Sequence, residues 1–253
     1  MSALILTYHG VEDAPGPLFV SPELFEQHLD VVLEWGGDVL TVGELAAALR
    51  ERRLPERALS ITFDDGFASV ARAAVPLLLE RGLAATVFCV AGYVGRNNDW
   101  PSQPAGIPRR PLATREELAE LARAGFEIGA HGFEHAPLVT SDEDALRLEI
   151  VESRADLECM TGAEVHSFAH PYGAEPSEQA QELIAATYAA ACTTELRPVT
   201  AGADPLAVPR IDAHYLRYPQ LLRRALDGRL QKYLRSRSYG ARVRRYLSPG
   251  PPR

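Results

Sequence analysis

Ala58-Leu59-Ser60-Ile61-Thr62-Phe63-Asp64-Asp65-Gly66 begins as an apolar, β-rich run and ends in two adjacent carboxylates and a glycine. A short apolar run bounded by charge and glycine has the character of a buried strand. Two carboxylates side by side at the end of such a strand repel each other and lose hydration, so a cation or a proton is expected to satisfy them. An exposed acidic turn before Gly66 is the plain alternative.

Working outward, similar runs recur from Leu4 to Tyr8, Ala84 to Val90, Phe126 to Ala130, Val165 to Ala169, Tyr188 to Thr193 and Leu206 to Ile211, separated by longer segments with helical spacing. That alternation indicates βα units around a parallel sheet. About seven strands favour an α/β fold of the distorted (β/α)7, TIM-like barrel type over an open doubly wound sheet. Helix starts are marked by Ser21-Pro22 and by capping-box spacing at Thr41/Glu44, Thr114/Glu117 and Thr140/Glu143. After Thr140, Leu146, Ile150 and Leu157 share one helical face. The chain has 253 residues, 46% apolar and 24% charged, which suits a globular body and argues against disorder. Cys89, Cys159 and Cys192 lie in apolar stretches without CxxC spacing, as buried thiols would, so neither a disulfide framework nor a thiolate metal site is expected.

Two further strand ends carry chemistry. Phe126 to Ala130 leads into His131-Gly132-Phe133-Glu134-His135, and two histidines four apart can present both rings to one divalent metal if the segment is helical. With a strand-end aspartate they would form a His2Asp set with open positions, the pattern of a catalytic metal. Val165 to Ala169 leads into His170-Pro171-Tyr172-Gly173, a tight turn able to aim a backbone N–H and an aromatic wall at the same place. In a parallel α/β barrel all three lie at the catalytic, C-terminal face. The long Gly- and Pro-rich connection from Val90 to Thr114 holds Tyr93 and Trp100. Trp100 is expected either to stack exposed on a sugar ring or to plug the loop onto the barrel.

Thr62-Phe63-Asp64-Asp65-Gly66, His131-xxx-His135 and Phe168-Ala169-His170-Pro171-Tyr172-Gly173, in this order, resemble the polysaccharide deacetylases, the NodB homology domain of carbohydrate esterase family four. The resemblance covers roughly residues 3 to 215. It implies a NodB-type barrel and a divalent metal, usually Zn2+ with Co2+, Ni2+ or Fe2+ as alternatives, held by Asp65, His131 and His135. It further implies Asp64 as general base and the Tyr172 backbone N–H as oxyanion donor. Leu6-Thr7-Tyr8-His9-Gly10 matches a first-strand motif of one branch, which would bring His9 close to the metal. The activity implied is removal of an N-acetyl group from a carbohydrate.

Two departures stand out. Many members have an arginine where this chain has Ala169, and Arg210, in Val208-Pro209-Arg210-Ile211-Asp212, is the candidate replacement beside the base. The family's Leu-x-His pattern around the general acid is absent; His214 lies in the right region, with His170 and His9 as the other choices. His9, Trp100 and His170 are also candidate substrate contacts. Hydrolysis of another C–N bond, as in a deformylase or cyclic amidase, and a non-catalytic carbohydrate-binding barrel are the rival functions. The four intact polar residues argue against the second.

The net charge of −8 is unevenly spread, with 11 basic and one acidic residue from Arg217 to Arg253. The chain is therefore divided into a barrel, residues 1–216, and a basic helical tail, residues 217–253. In the tail Leu222, Leu226, Leu230 and Tyr233 form a stripe from Gln220 to Leu247. It suits either an anionic membrane surface or the outside of the barrel. The acidic body argues against nucleic acid as a partner. The opening residues lack a basic n-region and a cleavage site, so a cytoplasmic location, peripheral on the inner membrane at most, is expected. The expected substrate is an amino sugar in a nucleotide- or lipid-linked glycan intermediate.

Overall fold

The computed structural model describes residues 2–237. Strand β1, Ser2–Tyr8, pairs in parallel with β2, Arg57–Phe63, over seven residues from Ser2 opposite Arg57 to Tyr8 opposite Phe63. From β2 the sheet continues in sequence order through β3 (Thr86–Cys89), β4 (Glu127–Ala130), β5 (Ser167–Ala169) and β6 (Ala190–Cys192), every pair parallel. The last strand, β7 (Ile211–Asp212), returns to the free side of β1, and just before it Val208 bridges Cys192 of β6. The segment 208–212 thus joins the two ends of the sheet and gives the distorted barrel the sequence indicates. All seven expected strands are present. Shorter pairings at Asp38–Val39 and Val199–Thr200, and between Gly10–Val11 and Phe19–Val20, have too few residues to show a sequence period.

Strand parity sorts the interior. Leu4, Leu6 and Tyr8 of β1 and Leu59, Ile61 and Phe63 of β2 join the larger apolar cluster beneath the helices, whereas Ala3, Ile5 and Ala58 join a second cluster with Phe88, Ala169, Cys192 and Val208. Alternate residues of a strand face opposite sides of the sheet, so Ser60 and Thr62 share the face of Ala58, and Asp64 continues that parity. Helix α1, Pro22–Trp35, starts at Ser21, whose hydroxyl accepts from Leu24 N–H, and ends at Gly36 in the left-handed region. Helix α2, Val42–Arg50, has the Thr41/Glu44 capping box; its first amides donate to Thr86 Oγ1 and Glu127 Oε2, which closes the N-terminal end of the barrel. Two more helices follow, α3 (Val75–Glu80) and α4 (Arg115–Arg123), the latter with the Thr114/Glu117 box.

Three expectations are corrected. Helix α5, Glu143–Arg147, is capped by Asp142, which accepts from Ala145 N–H, and not by Thr140. Thr140 Oγ1 instead accepts from Asp142 N–H, so the nearer and charged acceptor takes the helix end. A π turn at Leu148–Glu152 joins α5 to α6, Ser153–Thr161, and Leu146, Ile150 and Leu157 are buried on it as expected. Cys159 is exposed, while Cys89 and Cys192 are buried. The tail is not one long helix: after α7 (Glu178–Thr187), α8 runs only from Pro219 to Leu226, Gly228 adopts a left-handed turn, and a second helix covers 231–237.

Leu222, Ala225, Leu226, Leu230 and Leu234 belong to the same buried cluster as α1, and Arg223 donates to Val31 O. The compositional boundary at residue 216 is therefore crossed by the core, and the tail through 237 covers the barrel. Residues 238–253, with the rest of the expected stripe, lie outside the described residues. No helix among the described residues is long and apolar enough to cross a membrane. Leu222→Ala is expected to lower unfolding stability by about 2–5 kcal/mol, whereas exposed Arg224→Ala should stay within about 0.5 kcal/mol; urea titration of both variants checks it.

Candidate active site

The end of β2 delivers the two aspartates to different partners. Asp64, following the inward parity of Thr62, meets Arg210, which reaches in from the closing segment before β7 with only 2% of its surface exposed. The guanidinium grips the carboxylate in bidentate fashion, Nη1 to Oδ1 at 2.6 Å and Nη2 to Oδ2 at 2.8 Å, and Nε donates to Thr193 O. Burial alone would push Asp64 up; the charge of Arg210, then that of His131, and the Arg210 hydrogen bonds outweigh it and hold the carboxyl at about 2. Arg210 thus stands where the sequence placed it, in compensation for Ala169.

Asp65 turns the other way because its backbone is left-handed, with φ 70°, and Gly66 follows at 73°. Its Oδ1 faces His131 Nε2 at 3.6 Å and His135 Nε2 at 3.4 Å. The three residues are buried, and their ligand atoms lie within 4.8 Å of one another. The two histidines converge from a loop and not from a helix. His135 has φ 57° and Gly132 φ 85°, so the loop curls back after β4. His131 Nδ1 lies 2.8 Å from Ala169 O, leaving Nε2 for the cluster.

The donor set fits a divalent cation. Gaps of 3.4–3.6 Å are long for hydrogen bonds. They are close to the roughly 3.3–3.4 Å that separates two ligand atoms each about 2.0–2.1 Å from a tetrahedral centre. Burial, then the charge of His131, pushes His135 well below its ordinary value, which keeps the ring a neutral donor. Burial raises Asp65 against the lowering by His9 and His131, the condition of a carboxylate that a cation would stabilise.

Trp100 and Tyr172 enclose His135. Their ring centroids lie 4.5 and 4.4 Å from the imidazole, and Trp100 Nε1 donates to Tyr172 Oη at 3.0 Å. The tyrosine hydroxyl donates onward to Ser102 O, and Ser102 Oγ donates to His135 O. Trp100 is 2% exposed, so it plugs the long loop onto the site and offers no free face to a sugar. Tyr172 lies in the expected tight turn, with φ 57°.

The other histidines divide clearly. His9, half-buried after β1, is close enough for its charge to act on Asp64, Asp65 and His135. His170 is buried against Phe168, and burial, then Arg210 and His131, lowers it to about 4. His214 is exposed beside Tyr215, in the short turn that follows β7.

Ser102 and Glu149 also support the site, although neither lies in one of the three motifs. Glu149 is buried and accepts from the Phe133, Glu134 and Ala136 amides. Its signal was available: it stands three residues after Leu146 and next to Ile150, a charge on an otherwise apolar stripe.

These features define a buried Asp-His-His cluster with a guanidinium-paired carboxylate beside it at the C-terminal mouth of a barrel. The family model "Polysaccharide deacetylase" matches residues 51–191, and the chain belongs to that family. It is 26% identical over 192 residues to YxkH of Bacillus subtilis (strain 168), covering 76% of this chain and 64% of the relative. It is 22% identical over 201 residues to a poly-beta-1,6-N-acetyl-D-glucosamine N-deacetylase of Staphylococcus aureus (strain N315), with 76% and 67% covered. The chain thus spans about two thirds of the length of these relatives. In fold it is similar to IcaB from Ammonifex degensii, with TM-score 0.73, 24% identity, and 88% and 97% of the two chains covered. It is also similar to the Streptococcus pyogenes deacetylase PplD in complex with acetate, with TM-score 0.72, 22% identity, and 84% and 92% covered.

Purified protein is expected to carry one divalent ion per chain that a chelator removes, and His135→Ala to lose most of it; elemental analysis before and after dialysis checks both.

Proposed function

We propose that this protein is a metal-dependent hydrolase that removes an N-acetyl group from an amino sugar, with Asp65, His131 and His135 holding the ion. The observation that carries the reading is the division of labour between two adjacent buried carboxylates, one paired to Arg210 and the other facing two imidazoles. Zn2+ or a similar ion, when bound there, would supply Lewis acidity and make a water easier to deprotonate. Asp64 is the base in this proposal, kept ionised by Arg210 while its Oδ2 lies 4.0 Å from His131 Nε2. The Tyr172 backbone N–H would face the developing oxyanion. His9 is the better proton donor to the leaving amine than exposed His214 or His170, which is neutral at ordinary pH.

The substrate class rests on the family and on relatives named for N-acetylglucosamine polymers. Oligomers of N-acetylglucosamine therefore join the nucleotide- and lipid-linked sugars as substrates to test. Acetate release from one of these, with no formate from N-formyl analogues, is the expected result. Formate alone would favour the rival C–N hydrolase. Membrane association would draw on exposed Arg224, Arg229, Lys232, Arg235 and Arg237, since the apolar stripe is occupied; liposome cosedimentation measures it.

Asp64→Asn should lower kcat by about 10²–10⁴ without loss of bound metal. Arg210→Ala removes the group that outweighs burial, so Asp64 must titrate higher. The acid limb of kcat/KM should move to higher pH, with Arg210→Lys intermediate. The sign for stability is the same: a depressed carboxyl stabilises the fold above its unfolded value near 4, and that contribution is lost as pH falls toward 2. An unchanged pH profile in Arg210→Ala would remove Asp64 from the role of base.

A further inference from the structure

Glu149 is outside the cluster just described, yet it touches the loop that carries both histidines. It has 4% exposure and sits in the π turn between α5 and α6. Oε2 accepts from Phe133 N–H at 3.0 Å and Ala136 N–H at 3.3 Å, and Oε1 from Glu134 N–H at 2.9 Å. These amides flank His135 on both sides.

Two further features are built around the same carboxylate. Gly132 has φ 85°, and a Cβ there would collide with Glu149 Oε2, so the absence of a side chain beside His131 lets the carboxylate in. The π turn disturbs the helical ladder at Glu149, and its carbonyls are taken up by side chains. Ser153 Oγ donates to Glu149 O at 2.7 Å, and Tyr188 Oη donates to Ile150 O at 2.7 Å. One extra residue in the turn rotates Glu149 toward the loop, and Ser153 and Tyr188 hold it there.

We infer that Glu149 is a positioning residue for the metal site: its carboxylate gathers the backbone of the loop 132–136 so that His131 and His135 converge on Asp65. The inference rests on the metal reading proposed above. It matters most for His135, whose Nδ1 has no hydrogen-bond partner among the described residues. No hydrogen bond at that nitrogen sets the ring, so backbone placement and the Trp100 and Tyr172 faces must do so.

Glu149→Gln keeps the shape but turns one acceptor into a donor facing an amide donor. Gly132→Ala disturbs the same contact from the loop side. Each is expected to weaken Zn2+ binding by about 10- to 100-fold in a competition titration with a chelating dye, and to alter the visible absorption of the Co2+-loaded protein. Glu127→Gln is the control: its carboxylate also accepts from an amide, Gly43 N–H, and from the Thr86 hydroxyl, but at the opposite end of the barrel. It should lower thermal stability and leave Zn2+ affinity and the Co2+ spectrum unchanged. Zn2+ affinity within twofold of wild type in folded Glu149→Gln and Gly132→Ala, or an equal loss in Glu127→Gln, would overturn the inference. Wild-type protein that took up no Zn2+ would overturn the underlying metal reading with it.

Discussion

Two neighbouring carboxylates buried at one strand end are tolerable only if each finds its own positive partner. Asp64 and Asp65 are each 4% exposed. Removing one member of a buried, hydrogen-bonded ion pair typically costs about 3–5 kcal/mol because the remaining charge is left uncompensated. The partner of Asp64 comes from 146 residues further along the chain, on the segment that joins β6 to β1. Closure of the barrel and neutralisation of Asp64 are therefore one event. Without segment 208–212 against β1, neither the sheet nor the charge would be satisfied.

The second carboxylate is handled differently, and the backbone records it. Among the described residues four non-glycine positions have positive φ: Arg52, Asp65, His135 and Tyr172. Three of the four form the site. Such conformations cost of order 1–3 kcal/mol each and persist only where surrounding contacts impose them. Those contacts are visible here as the Ser102 bond to His135 O, the Tyr172 hydroxyl bonded to Trp100 and Ser102, and the amides held by Glu149. Strain of this kind turns side chains toward a centre that regular strand geometry would send to alternate faces.

The barrel was legible in the sequence because its seven strands and capped helices carry local signals: apolar runs, Ser21-Pro22 and two capping boxes. The Asp-His-His cluster was legible because its three residues sit in short motifs directly after strands, and Arg210 could be anticipated as the cation beside Asp64 that Ala169 does not supply. Less was readable where the answer depends on what lies across space. Trp100 in a Gly- and Pro-rich loop gives no local sign of whether it faces solvent or His135. His214 lies in the expected region, in a short turn that leaves its ring exposed. The tail's stripe would pattern identically against a membrane or a barrel, and only the packing of Leu222 and Leu226 with the α1 cluster decides it.

The asymmetry between the aspartates is also what makes the site chemically usable. A guanidinium is a permanent charge, so pairing it with Asp64 leaves a carboxylate that stays ionised despite burial. Burial holds the His135 ring neutral, so placing it against Asp65 leaves a nitrogen donor facing a buried carboxylate, a pair that favours a cation. Exchanging the partners would fail on both counts: arginine beside Asp65 would compete with the ion, and imidazoles beside Asp64 would lose their hold on its charge as they deprotonate. The order of Asp64 and Asp65 along the chain, together with the left-handed turn between their directions, therefore fixes which one meets the guanidinium and which one faces the two imidazoles.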